Sequence, residues 1–355
     1  MSAQDENAPR QPLVSGRRLL VFSGLFALLT FLGFYAVYAQ FAGKSLVFDT
    51  RLLAWSTVLS ISGLFVVYIL SDGLRLYFTL RALGQRVPLS QIFRLVFINI
   101  FFSNVTPMAT GGGVAQIWYL QRHGVRVGTA TAATTIRTVL AVVFIFTLTP
   151  VFLLTLDALH NQTLISRISW ILSVLIVLYL GFFAVVLLRA RWLIGPVSRV
   201  LKALRWLHLI SQERHIRWQY KCRREMLHFS YSFAIYLQGP KAYVSLSIFF
   251  TFLFLLSLFS FPALIIAGLG YHVDYIVTTG LLVVTTFVMY FSPTPGAAGI
   301  SEGVFGSFFS GILTPDHLIL VILAWRVVTV YIGMLVGLVI MQLEIAPGKK
   351  ARETT

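Results

Sequence analysis

Long stretches without a charged residue constrain the fold of this chain more than any other feature. Most are near or above the roughly 20 apolar residues that a helix needs to cross a bilayer. They occur at Leu19–Gly43, Leu52–Ser71, Leu95–Gln121, Thr138–Leu156, Ile168–Leu188, Ala242–Tyr271 and Tyr275–Ser301. Their apolar residues are continuous and do not alternate, which favours helices over a β-barrel. Since 11% of the residues are charged, against about 25% in soluble domains, we predict an all-α integral membrane protein with about eight transmembrane helices.

Two short segments interrupt these runs and resemble each other. Thr106–Gly113 reads TPMATGGG and Thr294–Gly299 reads TPGAAG. Each is followed, about thirty residues later, by an arginine inside an apolar stretch, Arg137 and Arg326. Proline and glycine weaken a helix, and unwound backbone is tolerated at membrane depth only inside protein or beside a cavity. Matched breaks are typical of transporter binding sites; the alternative is two unrelated proline kinks.

The net charge of +16 is concentrated between two predicted spans. Eleven basic residues lie between Arg189 and Lys241, opposed by Glu213 and Glu225 alone. Positive loops remain in the cytoplasm and attract anionic lipid headgroups, so this pattern indicates membrane lipids as partners and no nucleic acid. The same rule, applied to Arg17 and the other loop cations, places the N- and C-termini in the cytosol.

Charge also predicts how the two broken segments are oriented. The connection after the first, residues 121–126, is basic, whereas the connection after the second, residues 314–316, is acidic. The two units should therefore be inverted in the membrane, with two broken or re-entrant segments. Whether residues 296–313 span the membrane or re-enter it stays open. The predicted organisation is a disordered cytosolic segment 1–16, a membrane domain 17–345 (repeat one about 52–157, basic cytosolic loop 189–241, repeat two about 242–342) and a cytosolic tail 346–355.

Ionisable residues inside spans are costly and often functional. Asp72 and Arg75 lie three residues apart and can pair on one helix face, or Arg75 can extend to the membrane surface. The guanidinium groups of Arg137 and Arg326 suit phosphate oxygens. The predicted substrate site comprises Thr106, Pro107, Gly111, Gly112, Arg137, Thr294, Pro295, Gly296, Gly299, Glu302 and Arg326. The alternative is that one of these arginines pairs with Glu302 as a structural latch.

The chain lacks the short motifs of common catalytic and nucleotide sites. It has no phosphate-binding loop, no dinucleotide fingerprint and no paired-histidine metalloprotease motif. Its seven histidines are scattered, and Cys222 is the single cysteine, which excludes an internal disulfide and a cysteine-based metal site. We therefore expect no enzyme activity, no metal and no cofactor.

Several motifs resemble one known family across residues 15–345. The matching residues of the first half are Asp72, Gly73, Leu74, Arg75, Leu80–Gly84, Asn99, Asn104–Pro107, Gly111–Gly113, Tyr119, Leu120, Arg122–Val125, Ala130, Ala133 and Arg137, and those of the second half are Pro293–Gly303. This pattern is similar to the lysylphosphatidylglycerol synthase transmembrane-region family, the flippase-like module of the multiple peptide resistance factor. The resemblance implies a bacterial inner-membrane protein that moves a lipid between leaflets. The chain ends at Thr355 without the family's aminoacyl-transferase domain, so we do not expect it to make lysyl-lipid. Ala297–Ala298 replaces a further glycine of the family motif.

The resulting hypothesis is a lipid translocase that holds an anionic headgroup between the two broken segments, near the middle of the membrane. Two alternatives stay open. The chain could be an ion-coupled transporter of a small anionic solute, with Glu302 or Asp72 as proton carrier. It could also be a non-transporting accessory subunit of a lipid-modifying enzyme, bound through loop 189–241.

Overall fold

A computed structural model of the protein describes residues 48–156 and 233–345, together with a few isolated positions outside these ranges. The helices are α1 (Trp55–Ala82), α2 (Leu89–Val105), α3 (Thr110–Arg122), α4 (Val127–Thr155), α5 (Lys241–Gly268), α6 (Tyr275–Tyr290), α7 (Ile300–Phe309), α8 (Pro315–Arg326) and α9 (Ile332–Ile345). A π-helical turn, Val327–Tyr331, joins α8 to α9 without a break in direction. The predicted terminal segments 1–16 and 346–355, the first span, the span 168–188 and nearly all of the basic loop lie outside the described residues.

Within residues 48–156 and 233–345, four helical stretches are long and apolar enough to cross a membrane: α1, α4, α5 and the continuous α8–α9 unit. Helices α2 and α6 are apolar but shorter, with 17 and 16 residues. This composition confirms the prediction of an all-α membrane protein.

Two helical hairpins contain the broken segments. In the first, α2 and α3 run antiparallel, since Gln116 of α3 donates a hydrogen bond to Asn99 of α2 while Gly111 of α3 bonds to Thr106 at the end of α2. In the second, α6 begins four residues after Tyr271, and Thr314, which follows α7, hydrogen-bonds to the Tyr271 hydroxyl. The chain therefore returns after α7 to the level at which α6 began. Helix α7 has 10 residues, about 15 Å, which is half of a hydrocarbon core. Helix α7 is therefore too short to span a bilayer by itself.

The tips of the two hairpins meet. Pro107 and Pro295 form an antiparallel backbone bridge, which is an isolated one in the described residues. An antiparallel bridge has a local twofold axis between its strands. The helix boundaries of α5–α9 repeat those of α1–α4 at the offset that separates Pro295 from Pro107, to within a few residues. The packing repeats too, because α4 packs on α6 much as α9 packs on α2. The predicted inverted repeat is thus present in the backbone.

Polar contacts define two opposite faces of the bundle. On the first, called the Arg94 face, Arg94 at the start of α2 binds Glu344 near the end of α9, with 3.1 Å between Nη1 and Oε1. On the second, called the His317 face, His317 of α8 lies 3.2 Å from the Asp49 carboxylate and hydrogen-bonds to Tyr271. Hairpin α2–α3 enters from the Arg94 face and hairpin α6–α7 from the His317 face.

Candidate functional site

Both hairpin tips contain the same unusual backbone turn. After the first proline, Met108 and Ala109 have φ values of 54° and 53°, and after the second, Gly296 and Ala297 have 57° and 54°. Left-handed backbone costs an L-residue roughly 1–2 kcal/mol. Three of these four residues carry a Cβ, so the turn is maintained by its surroundings and not by local preference. The shared conformation explains why both segments unwind where the sequence predicts a break.

The second tip is fixed by a buried ion pair. Glu302 and Arg326 have side chains that are 0% and 1% exposed, and their Oε1 and Nε atoms lie 2.8 Å apart. The other carboxylate oxygen accepts hydrogen bonds from the Gly299 backbone N–H, at 2.7 Å, and from the Ser301 hydroxyl, at 2.8 Å. Arg326 also donates through Nη2 to the Gly296 carbonyl, at 2.9 Å. Both charged groups are thereby satisfied, and they hold the unwound segment 296–299 in place.

The first repeat contains a different charge cluster. The Asp72 carboxylate accepts hydrogen bonds from Arg75 Nε, at 2.6 Å, and from Arg137 Nη2, at 2.5 and 2.6 Å to its two oxygens. Asp72, Arg75 and Arg137 are 2%, 6% and 5% exposed. The guanidinium of Arg75 also stacks on the Phe254 ring, with its central carbon 3.7 Å from the centroid. This cluster joins α1, α4 and α5.

The Asp72 cluster carries more positive charge than its carboxylate neutralises. Two guanidinium groups share one carboxylate, which leaves a formal surplus of one positive charge in a buried place. In addition, Arg75 Nη1 and Arg137 Nε have no hydrogen-bond partner among the residues that the structure describes. Buried charged donors without partners are costly. The cluster is therefore suited chemically to accept a further anionic group such as a phosphate.

The two arginines that the sequence analysis treated as equivalent occupy different clusters. Arg326 pairs with Glu302, which is the latch that the sequence analysis held as an alternative; a role in substrate binding stays a prediction for it. Arg137 pairs with Asp72, and this contact was missed. Asp72 was paired with Arg75 alone, since the spacing along one helix reveals a local partner but not one on another helix.

The remaining predicted site residues lie at the hairpin tips. Pro107 and Pro295 contact each other through the backbone, and Thr106 caps the Gly111 N–H through its hydroxyl, at 2.8 Å. Thr294 donates to the Ala298 carbonyl, at 2.9 Å. A Cβ on Gly112 would lie 2.6 Å from Asn99 Oδ1 and closer still to Ser103, so this glycine permits the close approach of α3 to α2.

Three further polar residues were not among the predicted site residues: Asn99, which the sequence analysis named only as part of the family motif, Gln116 and Thr134. Gln116 and Thr134 are 3% and 7% exposed and each has a side-chain atom without a partner in the described part of the chain. The available signal was their presence within otherwise apolar runs. Asn99 and Ser103 share one face of α2, and Gly112 and Gln116 share one face of α3.

Comparison with known proteins agrees with the fold and with the pattern of motifs. Residues 16–337 match the family described as the lysylphosphatidylglycerol synthase TM region. A UPF0104 membrane protein of Archaeoglobus fulgidus is 21% identical over 294 residues, which is 80% of this chain and 88% of that protein. The match to the family covers most of the chain and includes both hairpins and both charge clusters. This multi-pass membrane protein therefore belongs to the lysylphosphatidylglycerol synthase transmembrane-region family.

Proposed function

We propose that this protein transfers a phospholipid, or another lipid-linked anionic headgroup, between the two leaflets of its membrane without catalysing a chemical reaction. The surplus positive charge of the Asp72–Arg75–Arg137 cluster carries the proposal. A buried cation with free donor groups has a lower free energy when a phosphate is bound to it than when it is unpaired. Membership in a family named for the membrane part of a lipid synthase supports a lipid as the cargo.

The geometry of the hairpins supports a path for the headgroup. Hairpin α2–α3 enters from the Arg94 face, hairpin α6–α7 enters from the His317 face, and their tips meet. Each hairpin would therefore cross one half of the membrane. Arg137 lies on α4, which follows the first hairpin through a short connection and therefore runs antiparallel to α3. Arg137 Nε and Arg75 Nη1, which have no partner in the described residues, would donate hydrogen bonds to the phosphate oxygens. The acyl chains would stay in the surrounding lipid.

The orientation and location of the protein remain part of this proposal. The Arg94 face would be cytosolic, together with both termini, and the protein would lie in a bacterial cytoplasmic membrane. The basic loop 189–241 would collect anionic lipids at that surface, at roughly 1 kcal/mol per lysine or arginine near the membrane. A lipid-pathway enzyme would be the natural partner of such a loop.

The decisive experiment compares Arg137→Met with wild type in proteoliposomes. Acyl-labelled anionic and zwitterionic phospholipids are reconstituted symmetrically, and dithionite quenching reports how fast labelled lipid reaches the outer leaflet. Arg137→Met leaves the Asp72–Arg75 pair intact and removes the surplus charge, so folding should change little. We expect the rate for anionic lipid to fall at least about ten-fold, which corresponds to about 1.4 kcal/mol.

Two control variants separate charge from geometry. Arg137→Lys keeps the charge but loses the planar fork, so its rate should lie between wild type and Arg137→Met. Arg126→Met removes an exposed arginine at the start of the same helix and should transfer lipid as wild type does. A normal rate for Arg137→Met would exclude the Asp72 cluster as the headgroup site.

The alternatives predict different results with the same vesicles. An ion-coupled solute transporter would move no lipid but would accumulate a small anion under a pH gradient. The Glu302 carboxylate, one of the two candidate proton carriers, already accepts hydrogen bonds from Arg326, Gly299 and Ser301. An accessory subunit would move neither lipid nor solute and would lose its partner enzyme when loop 189–241 is shortened.

A further inference from the structure

Thr134 of α4 has a buried hydroxyl group without a hydrogen-bond partner in the described residues. Four other threonines of α4, namely Thr131, Thr138, Thr149 and Thr155, donate their hydroxyls to the carbonyl four residues earlier. Thr134 is buried, yet its hydroxyl makes no such bond and has no partner in the described ranges. A buried hydroxyl without a partner is available to another group.

Gln116 of α3 presents a second incomplete hydrogen-bonding group. Its amide nitrogen donates to Asn99 Oδ1, and its carbonyl oxygen has no partner in the part of the chain that the structure describes. Whichever way the amide is oriented, one of its two polar atoms is left over. Either atom can bond to a hydroxyl, which is both donor and acceptor.

These groups lie at successive levels between the Asp72 cluster and the Arg94 face. A Cβ placed on Gly113 would lie 3.7 Å from Thr134 Cγ2, so Gly113 of α3 and Thr134 of α4 are level. Arg137 lies one turn from Thr134 towards the hairpin tip, and Gln116 lies one turn from Gly113 in the opposite direction. Arg137 and Gln116 are therefore offset by about 9 Å along the helix axes, at about 1.5 Å per residue, in addition to the lateral spacing between α3 and α4.

We infer that these side chains form a headgroup subsite for a phosphodiester whose alcohol carries further hydroxyl groups, such as a glycerol or a sugar. The inference rests on the proposed transfer function and specifies its substrate class. Arg75 and Arg137 hold the phosphate, and Thr134 and Gln116 bind hydroxyls of the alcohol that esterifies it. The partner-free atoms supply what such a group requires: charged donors at one end and neutral hydrogen-bonding groups at the other.

The same residues disfavour a cationic headgroup. Every buried carboxylate in the described ranges, namely Asp72, Glu302 and Glu344, already binds an arginine. An ammonium group on the substrate would thus find no free carboxylate and would face the surplus positive charge of Arg75 and Arg137. Although the family is named after a lysyl-lipid, this chain is built for an anionic polyol headgroup.

The test uses three acyl-labelled lipids in the dithionite assay with the full-length protein. Phosphatidylglycerol carries two hydroxyls, phosphatidylpropanol has the same charge and carbon count without them, and lysyl-phosphatidylglycerol is cationic. We expect wild type to transfer phosphatidylglycerol at least about five-fold faster than phosphatidylpropanol, since unpaired polar groups penalise the analogue that lacks hydroxyls. Lysyl-phosphatidylglycerol should be the slowest of the three.

Variants then locate the preference. Thr134→Val replaces a partner-free hydroxyl by an isosteric methyl, so the protein should fold, and the glycerol-to-propanol ratio should fall at least about two-fold, the loss of one neutral hydrogen bond. Gln116→Met should lower it similarly, whereas Thr134→Ser should keep it. Thr131→Val, the same change on the exposed side of α4, should leave the ratio as in wild type.

The outcomes distinguish this inference from the proposed function. Equal rates for phosphatidylglycerol and phosphatidylpropanol in wild type would overturn the hydroxyl subsite and leave lipid transfer intact. Fastest transfer of the lysyl-lipid would overturn the anionic preference in the same way. No transfer of any of the three lipids by folded protein would overturn the proposed function and this inference with it.

Discussion

Replacing Arg326 by methionine should destabilise the protein by about 4 kcal/mol. The change leaves the Glu302 carboxylate, whose side chain is 0% exposed, without its cation, and breaking a buried ion pair costs roughly 3–5 kcal/mol. Glu302 keeps its hydrogen bonds from Gly299 and Ser301, which favours the lower end of about 3 kcal/mol. Loss of the bond from Arg326 to the Gly296 carbonyl adds about 1 kcal/mol.

The charge contribution can be isolated with a double-mutant cycle. Glu302→Gln in the Arg326→Met background removes the uncompensated charge, while the amide oxygen still accepts from the Gly299 N–H. We expect the double variant to recover about 2–3 kcal/mol relative to Arg326→Met. Glu302→Gln alone leaves the buried Arg326 without its anion, so the coupling energy should exceed this recovery by the cost of that single change. Arg126→Met, at an exposed position, is the matched control and should change stability by less than about 0.5 kcal/mol.

Stability is measured by titrating detergent-solubilised protein with sodium dodecyl sulfate and following helix content by circular dichroism. A loss below about 1 kcal/mol in Arg326→Met, together with negligible coupling to Glu302, would refute the assignment of Arg326 as a latch. In that case Arg326 would be free to contact substrate, and its methionine variant should fail in lipid transfer while remaining folded.

Three further predictions follow from the backbone and from the His317 face. Met108→Gly should stabilise the protein by about 1 kcal/mol, because its φ of 54° suits glycine better than methionine; an unchanged unfolding midpoint would contradict this. Gly112→Ala should lower the yield of folded protein in size-exclusion chromatography, since the added methyl would collide with Ser103. Hydrogen bonds from Arg51 lower the pKa of Asp49 from 3.8 to about 2, so the contribution of this carboxylate to stability is complete above pH 3.8 and is lost as the pH falls towards 2. The difference in unfolding temperature between wild type and Asp49→Asn should shrink over that interval.

The hairpin breaks could be predicted because their cause is local. Proline and glycine disrupt a helix wherever they occur, and the charge of the following connection indicates which face it occupies. Both signals are present in a few consecutive residues around Pro107 and Pro295. The left-handed conformation of Met108 and Ala297 was not predictable, because these residue types do not favour it and tertiary contacts impose it.

The ion pair between Asp72 and Arg137 could not be predicted, because its partners are distant in sequence. The pair of Asp72 with Arg75 was predicted from its local spacing, and a pair of Glu302 with an arginine was held as an alternative. Arg137 and Arg326 follow their breaks at nearly the same spacing, which suggested a common role. The carboxylates that bind them come from different places: Asp72 precedes the first hairpin on α1, whereas Glu302 lies within the second hairpin on α7. Only the packing of α1 against α4 shows that the Asp72 carboxylate is shared by Arg75 and Arg137.

This difference between the repeats suggests a division of labour in a backbone that is otherwise symmetric. The second tip has one arginine for one carboxylate, with every polar atom of Glu302 engaged, and such a site resists the entry of another charge. The first repeat has two arginines for Asp72 and donors left over, and such a site gains from an anion. If two symmetric sites were both saturated, nothing would bind. If both carried surplus charge, the fold would have to bear two uncompensated buried charges. A rigid tip next to an unsaturated cluster avoids both problems, so variants at Arg326 should act mainly on stability and variants at Arg137 mainly on transfer.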